Sequence, residues 1–597
     1  MREILSGNEA IARGAWEAGV RFASAYPGTP STEILETIAD YADVYSEWCT
    51  NEKVALETAL GAAVAGARAI CSMKHVGVNV AADPLMTASY VGIKGGLVLI
   101  SADDPAMHSS QNEQDNRNYA KFSKIPLLEP SDSQECKNFL MQALDISEEF
   151  DTPVMLRTTT RISHSKSIVE LGERREPGNI TGLEKTASKY TMLPGFARAR
   201  HVAVEKRFTA LQVYSNHTPL NRIEMGDPRV GIVASGAAYA YAREAYPQAS
   251  FLKLGMSYPL PDALIAEFRG KVEKLYVVEE LDPFFEEHLR ATGVKVDGGK
   301  NLLPLLGEFD PGLVARSLAC DGLPGVNEEL AAVPTPDRTD LPLRPPTLCP
   351  GCSHRGVFTV LNRMKIFVSG DIGCYTLGAL PPLASMHSCV CMGAGIGMAH
   401  GMAKVQDAET KTKDRPVAVI GDSTFLHSGM TPLLNTVWNR GETVTLILDN
   451  RTTAMTGGQD NPGSGKTLSG ALTPAVDLVK ICEAFGVPTI IKMDPYNLAQ
   501  VEKSIGEALA TPGPVVIIAQ APCVLEYKVK HEPWVIDAEE CTGCRRCLRV
   551  ACIALGLVNR EDGKTVVQID QTQCNGCGVC AQMCKFEAIK APAAVNG

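Results

Sequence analysis

Short apolar runs recur along the chain, separated by stretches with helical spacing, and this alternation predicts an α/β protein built on parallel sheets. Gly96–Asp104 (GLVLISADD) and Pro153–Thr160 (PVMLRTTT) are short, apolar and contain β-branched residues, so they read as buried strands. The spacing predicts further strands at Val230–Ser235 and Leu275–Glu280, then at Val417–Asp422, Val444–Asn450 and Val515–Ala521. Asn51–Arg68, rich in Ala and Gly, reads as a helix capped by Asn51. The polar stretch near 165–195 reads as a connection, and Cys389 and Cys391, in a Gly-rich apolar run, read as core. Cys49, Cys71, Cys136, Cys320 and Cys482 are given the same core reading.

These patterns divide the chain into 1–190, 195–325, a Pro-rich linker at 326–346, 347–530, and a tail at 531–597. The linker holds Pro334, Pro336, Pro342, Pro345 and Pro346. No run of about 18 apolar residues is present, so no membrane span is expected. The N-terminal MREILSGNEAIARG has no apolar signal core, so the expected location is cytoplasmic. A net charge of −11 with no basic block argues against nucleic acid as a partner.

Cysteine changes the picture. Of 19 cysteines, eight lie in the tail, as Cys541-x2-Cys544-x2-Cys547-x4-Cys552 and Cys574-x2-Cys577-x2-Cys580-x3-Cys584. Thiolates at this spacing bind [4Fe–4S] cubes, three ligands coming from one loop and the fourth from the other motif. One cluster then takes Cys541, Cys544, Cys547 and Cys584, and the other takes Cys574, Cys577, Cys580 and Cys552. The competing zinc module needs only four ligands, usually two CxxC pairs. The first motif has one residue more than usual before its last Cys, and Ile553 and Lys585 stand where a bacterial ferredoxin has Pro.

Two strand ends carry oxygen ligands. VAVIGD ends at Gly421-Asp422-Ser423, and VTLILDN ends at Asp449-Asn450, with 28 positions from Asp422 to Asn450. This resembles the thiamine-diphosphate signature, in which a carboxylate and an amide oxygen hold the Mg²⁺ that neutralises the diphosphate. Ser423 and Asp449 depart from the usual Gly and Asn. Met455–Gln459 (MTGGQ) and the Gly-rich Cys391–Gly401 (CMGAGIGMAHG) flank the site; the alternative for the glycines is close helix packing.

Together these pieces resemble one family along the whole chain, the 2-oxoacid:ferredoxin oxidoreductases. Tyr26-Pro27-Gly28-Thr29-Pro30-Ser31 is similar to its YPxTPS motif, and Asn51-Glu52 leading into GAAVAGARA is similar to its catalytic glutamate helix. The domain order and the irregular first cluster motif are closest to the indolepyruvate ferredoxin oxidoreductase α subunits. The resemblance implies a pyrimidine-side domain at 1–190, a transketolase C-terminal-like domain at 195–325, a diphosphate-side domain at 347–530 and a two-cluster ferredoxin domain at 531–597. The implied fold is thus two doubly wound α/β domains, a third α/β domain and a bacterial-type ferredoxin.

The resemblance also implies roles. Glu52 hydrogen-bonds the cofactor's aminopyrimidine nitrogen, and Thr29 stands beside the aminopyrimidine and substrate. Gly421, Asp422, Asn450 and the Thr452 carbonyl hold diphosphate and Mg²⁺. The bland alternatives are a helix-start acid for Glu52 and a turn hydroxyl for Thr29. Arg117, in the polar run HSSQNEQDNRNYA, is nominated for the substrate carboxylate, against a solvated loop arginine. Cys349 and Cys352 (CPGC), Cys374 and Cys523 stand where several family members hold a third, proximal [4Fe–4S] cluster. A zinc knuckle using His354 and buried free thiols are the alternatives.

The implied reaction is oxidative decarboxylation of an aryl 2-oxoacid with coenzyme A, giving an arylacetyl-CoA and CO₂, with electrons passing to ferredoxin. Pyruvate or 2-oxoglutarate is the rival substrate, and an electron-transfer subunit with a structural thiamine-like half is the rival of another class. No segment is left to supply the family's γ-type domain. A small β subunit is therefore the expected partner, in a two-fold (αβ)₂ assembly.

Overall fold

The expected strands form in the computed structural model, which describes residues 1–592 except 179, 181–184, 335–339, 343 and 407–414. The described chain divides into two units, Met1–Asp340 and Leu341–Gly597. The division falls in the Pro-rich linker, of which 335–339 and 343, including Pro336, lie outside the described residues.

In the first unit a small antiparallel pair, β1 (Arg2–Ser6) with β8 (Lys166–Glu170), flanks a seven-stranded sheet. That sheet takes β2 (Phe22–Ala25), β3 (Tyr45–Trp48), β4 (Ala69–Lys74), β5 (Leu97–Asp103), β6 (Leu127–Leu128) and β7 (Val154–Thr159), in spatial order β6-β7-β5-β4-β2-β3. All five pairings among these six are parallel. Every residue of β5 and β7 is buried, as a sheet covered on both faces requires. The seventh strand, β12 (Met256–Tyr258), comes from far along the chain and pairs antiparallel with β6. It leaves a second sheet of β9 (Asn221–Glu224), β10 (Asp227–Ala234), β11 (Ala249–Leu254) and β13 (Lys274–Val278), ordered β13-β10-β11-β9.

The stretch expected as a connection is therefore partly structured. It supplies β8 and a helical turn at Ala187–Tyr190, and a 24-residue helix, Pro194–His217, follows. In that helix Arg200 and Arg207 donate to the Tyr90 and Ser89 carbonyls, tying the two α/β layers of the unit together.

The second unit is built on five parallel strands, β14 (Val368–Ser369), β15 (Val417–Gly421), β16 (Val444–Asp449), β17 (Thr489–Met493) and β18 (Val515–Gln520), ordered β14-β15-β16-β18-β17. The Cys-rich tail adds two antiparallel pairs, β19 (Val535–Ile536) with β22 (Ile589–Lys590), and β20 (Leu555–Asn559) with β21 (Thr565–Ile569). It is not a separate bead. Val550 and Val579 lie in the same apolar core as Val357, Phe358, Leu361 and Leu498. No helix among the described residues is long and apolar enough to cross a membrane.

Candidate active site and electron-transfer centre

Ligands of parallel sheets gather at the C-terminal strand ends, and in the first unit these ends carry the predicted groups. After β2 the Tyr26–Ser31 turn is fixed by Ser31 Oγ donating to the Gly28 carbonyl at 2.8 Å and Asn8 Nδ2 donating to the Pro30 carbonyl at 2.7 Å. After β3, Asn51 caps the helix Glu52–Val64, its side chain accepting from Val54 N at 2.9 Å. Glu52 is thereby the first helical residue, and it is buried.

After β4 comes a feature the motifs did not reveal. A Cβ on Gly77, in the helix His75–Val80, would lie 2.7 Å from both Cγ and Oε1 of Glu52, so only glycine lets this helix back the carboxylate. Lys74, the last residue of β4, packs on the other motif: a Cβ on Gly28 would lie 3.1 Å from Lys74 Cβ. Its ammonium donates to the Ser109 carbonyl at 2.7 Å and Ser109 Oγ at 3.3 Å. Burial pushes Lys74 down to about 8, with nearby Asp104 opposing. Asp104 is itself occupied by Ser109 N, Ser110 Oγ and Thr160 Oγ1.

Arg117 is not the substrate-facing arginine that the sequence suggests, because its guanidinium is already engaged within the protein. It is 2% exposed, and its guanidinium donates to Asp115 at 2.5 Å, Glu279 at 2.8 Å, and the Glu280 and Asp282 carbonyls at 2.9 and 3.0 Å. These partners consume the fork that a substrate carboxylate would need. Arg117 instead ties the first sheet to the loop after β13. Arg157 is engaged in the same way by Asp103 and Glu129.

In the second unit Asp422 stands at the end of β15 and Asp449-Asn450 at the end of the adjacent β16. Burial, together with the charge of Asp449, pushes Asp422 up to about 7. Its one side-chain hydrogen-bond partner among the described residues is Asn461 Nδ2, at 3.5 Å, and no basic side chain pairs with it. A buried carboxylate without a cation fits a divalent ion that arrives with the cofactor. Asn450 Oδ1 accepts from Thr452 N at 3.3 Å, which keeps the Asn–x–Thr turn beside Asp422. The Gly-rich run serves packing at Gly395, where a Cβ would meet the Gly370 carbonyl at 2.8 Å.

The tail cysteines surround two cavities. One is lined by Cys541, Cys544, Cys547 and Cys584, the other by Cys552, Cys574, Cys577 and Cys580. Each set combines three cysteines of one motif with the last of the other, as the crossed ligation of two cubes requires. Among the described residues no group of three or more His, Cys, Asp or Glu side chains is arranged to hold a metal ion; the tail thiols ring two cavities instead.

Cys349, Cys352, Cys374 and Cys523 come from three separate segments, yet they feel one another's charge. Cys349 and Cys374 are each raised by burial and then by Cys523, and Cys352, pushed to about 12 by burial, also feels Cys374 and Cys349. This soft-donor set fits a cluster. His354 beside it is pushed by burial to about 4. Gly351 of the CPGC turn lines the cavity of Cys552, Cys574, Cys577 and Cys580, so the two cysteine sets abut.

Arg355, another residue the motifs did not reveal, spans this junction. Its guanidinium donates to the carbonyls of Leu348 and Cys349 on one side, and of Val550 and Ala551 on the other. Arg355 lies in the first turn of the helix His354–Met364, where every residue from His354 to Leu361 is buried, so no periodicity sets it apart. Three cysteines expected in the core are exposed: Cys320, Cys389 and Cys391. The run holding the last two turns outward just before the helix Ala394–Val405.

Residues 13–225 match the family described as pyruvate flavodoxin/ferredoxin oxidoreductase, thiamine diP-binding. Residues 371–519 match the thiamine pyrophosphate enzyme C-terminal TPP-binding domain, and 567–590 the 4Fe-4S binding domain. The chain is 41% identical over 628 aligned residues to an indolepyruvate oxidoreductase subunit IorA of Archaeoglobus fulgidus, covering 99% of this chain and 98% of that one. Subunits of the same name from Methanothermobacter thermautotrophicus and Pyrococcus abyssi are 40% and 39% identical. Those alignments cover 98% and 99% of this chain, and 97% of each relative.

Proposed function

The chain belongs to the 2-oxoacid:ferredoxin oxidoreductases, among the IorA-type indolepyruvate oxidoreductase subunits, and from that premise we propose that it oxidises an aryl 2-oxoacid with coenzyme A. The products are an arylacetyl-CoA and CO₂, with ferredoxin as electron acceptor. One observation carries the reading. Gly351 of the CPGC turn, in the same unit as Asp422 and Asn450, lines the inner cavity of the Cys-rich tail, which supports an exit for electrons from a thiamine site.

Thiamine diphosphate, when bound, supplies the electron sink for decarboxylation. Asp422, Asn450 and the Thr452 carbonyl would hold its Mg²⁺, with Gly421 beside the diphosphate. Glu52 keeps a proton at the aminopyrimidine nitrogen, steered by Gly77. Thr29 orients the substrate beside the aminopyrimidine. Lys74 replaces Arg117 as the receptor of the substrate carboxylate. It is a half-buried cation whose hydrogen bonds go to a carbonyl and a hydroxyl, beside the turn that carries Thr29. The three cysteine sets would hold three cubes, which would supply one-electron acceptor chemistry.

A small β subunit with the γ-type domain completes the enzyme, and two αβ units assemble around shared sites. Ferredoxin reduction by the chain with its partner, assayed with indolepyruvate, phenylpyruvate, pyruvate and 2-oxoglutarate, tests the substrate. A preference for pyruvate or 2-oxoglutarate over the aryl acids would overturn it.

A further inference from the structure

Arg355 is 1% exposed, and among the described residues no carboxylate pairs with it. Its hydrogen bonds go only to carbonyl oxygens, and its Nε has no partner. A buried, permanently charged guanidinium needs a counter-charge. The nearest candidates are thiolates. Arg355 donates to the Cys349 carbonyl at 3.0 Å on the CPGC side and lines the cavity ringed by Cys552, Cys574, Cys577 and Cys580 on the other. Arg355 is not among the residues that line the outer cavity of Cys541, Cys544, Cys547 and Cys584.

A cube ligated by four thiolates is net negative and becomes more so on accepting an electron. A fixed positive charge between two cubes therefore favours the reduced form of each, and net charge is one of the established controls of cluster potential. We propose that Arg355 is the shared counter-ion of the Cys349/Cys352/Cys374/Cys523 cluster and the Cys552/Cys574/Cys577/Cys580 cluster, raising the reduction potential of both and leaving the outer cluster untouched. The outer cluster is thus an internal reference. The inference rests on reading these cysteines as cluster ligands, and iron analysis of the wild-type chain tests that separately. About four irons per cube are expected, and iron short of three cubes there indicts the ligand reading rather than Arg355.

The test is an EPR-monitored redox titration of the full-length chain with its partner subunit, comparing wild type, Arg355→Gln and Arg355→Lys. Arg355→Gln should make reduction of the two inner clusters at least tenfold less favourable, about 59 mV for a one-electron couple. The outer cluster should not move, and Arg355→Lys should recover most of the loss. Arg355→Gln chains that fail to load the inner cubes, while Arg355→Lys chains load them normally, would equally show that the charge is what matters. Unchanged potentials in a fully loaded Arg355→Gln chain would overturn the proposal. So would equal shifts of all three clusters, or a lysine variant as impaired as the glutamine one, since geometry rather than charge would then be responsible.

Discussion

Gly77→Ala isolates Glu52 without touching any ionisable group. The new Cβ would lie 2.7 Å from Glu52 Cγ and Oε1 and 3.0 Å from Cδ. Ordinary carbon contacts sit at about 3.5–4.0 Å, so the carboxylate must retreat by the better part of an ångström. Overpacking costs about 1–3 kcal/mol, partly offset by the ~1 kcal/mol that Ala gains over Gly in a helix, so the fold should survive. A displacement of about 1 Å at a catalytic group can cost ~10²-fold in rate. Turnover in 2-oxoacid-dependent ferredoxin reduction should fall by about that factor, with iron content and cluster spectra unchanged. Gly61→Ala is the matched control. It lies in the same helix as Glu52, and its Cβ meets nothing within 4 Å, so activity should hold. Wild-type turnover in Gly77→Ala would refute both the steering by Gly77 and the role given to Glu52.

Glu52→Gln and Asp422→Ala should each be inactive, the second with weakened thiamine diphosphate and Mg²⁺ binding by calorimetry. Mixed dimers of the two should recover up to about half of the sites if sites are shared between copies; verified mixed dimers with no activity would exclude sharing. Cys374→Ser should lower iron from about twelve to about eight per chain, and iron that stays at the wild-type level would remove Cys374 from the cluster. Lys74→Met should raise KM for the 2-oxoacid by about 10²-fold or less, the worth of a charge-assisted contact, with thiamine diphosphate affinity unchanged. The ammonium is charged below about 8, so wild-type KM should climb as pH rises through that value while Lys74→Arg stays flat; parallel profiles would reject Lys74.

Local features were legible in the sequence and non-local ones were not. β5, β7, β15, β16 and β18 fall within one residue of their expected bounds, because a buried parallel strand writes itself as an apolar run. The tail cysteines line two cavities in the grouping that the spacing suggests, since a tight loop brings three thiols together. Arg117 was misread because one of its decisive partners, Glu279, lies 162 positions away, and a polar run gives no sign of such a pairing. Gly77, Lys74 and Arg355 escaped for the same reason. Each acquires its role from what the fold sets against it. β12 could not be foreseen in the first sheet because strand partners beyond the local unit leave no periodic trace.

The shared core of the second unit bears on how such an enzyme could be rebuilt. On paper the last sixty or so residues look like a cassette that could be exchanged for any small ferredoxin. In the folded chain Val550 and Val579 plug the same core as Leu498. Gln582 clasps the Tyr496 carbonyl and the Leu498 amide at 2.7 and 2.9 Å, and Asn575 holds the Val529 carbonyl at 2.6 Å. A graft that keeps the eight cysteines but not these anchors would bind its iron and still hang loose, turning a soldered joint into a plug that has lost its socket.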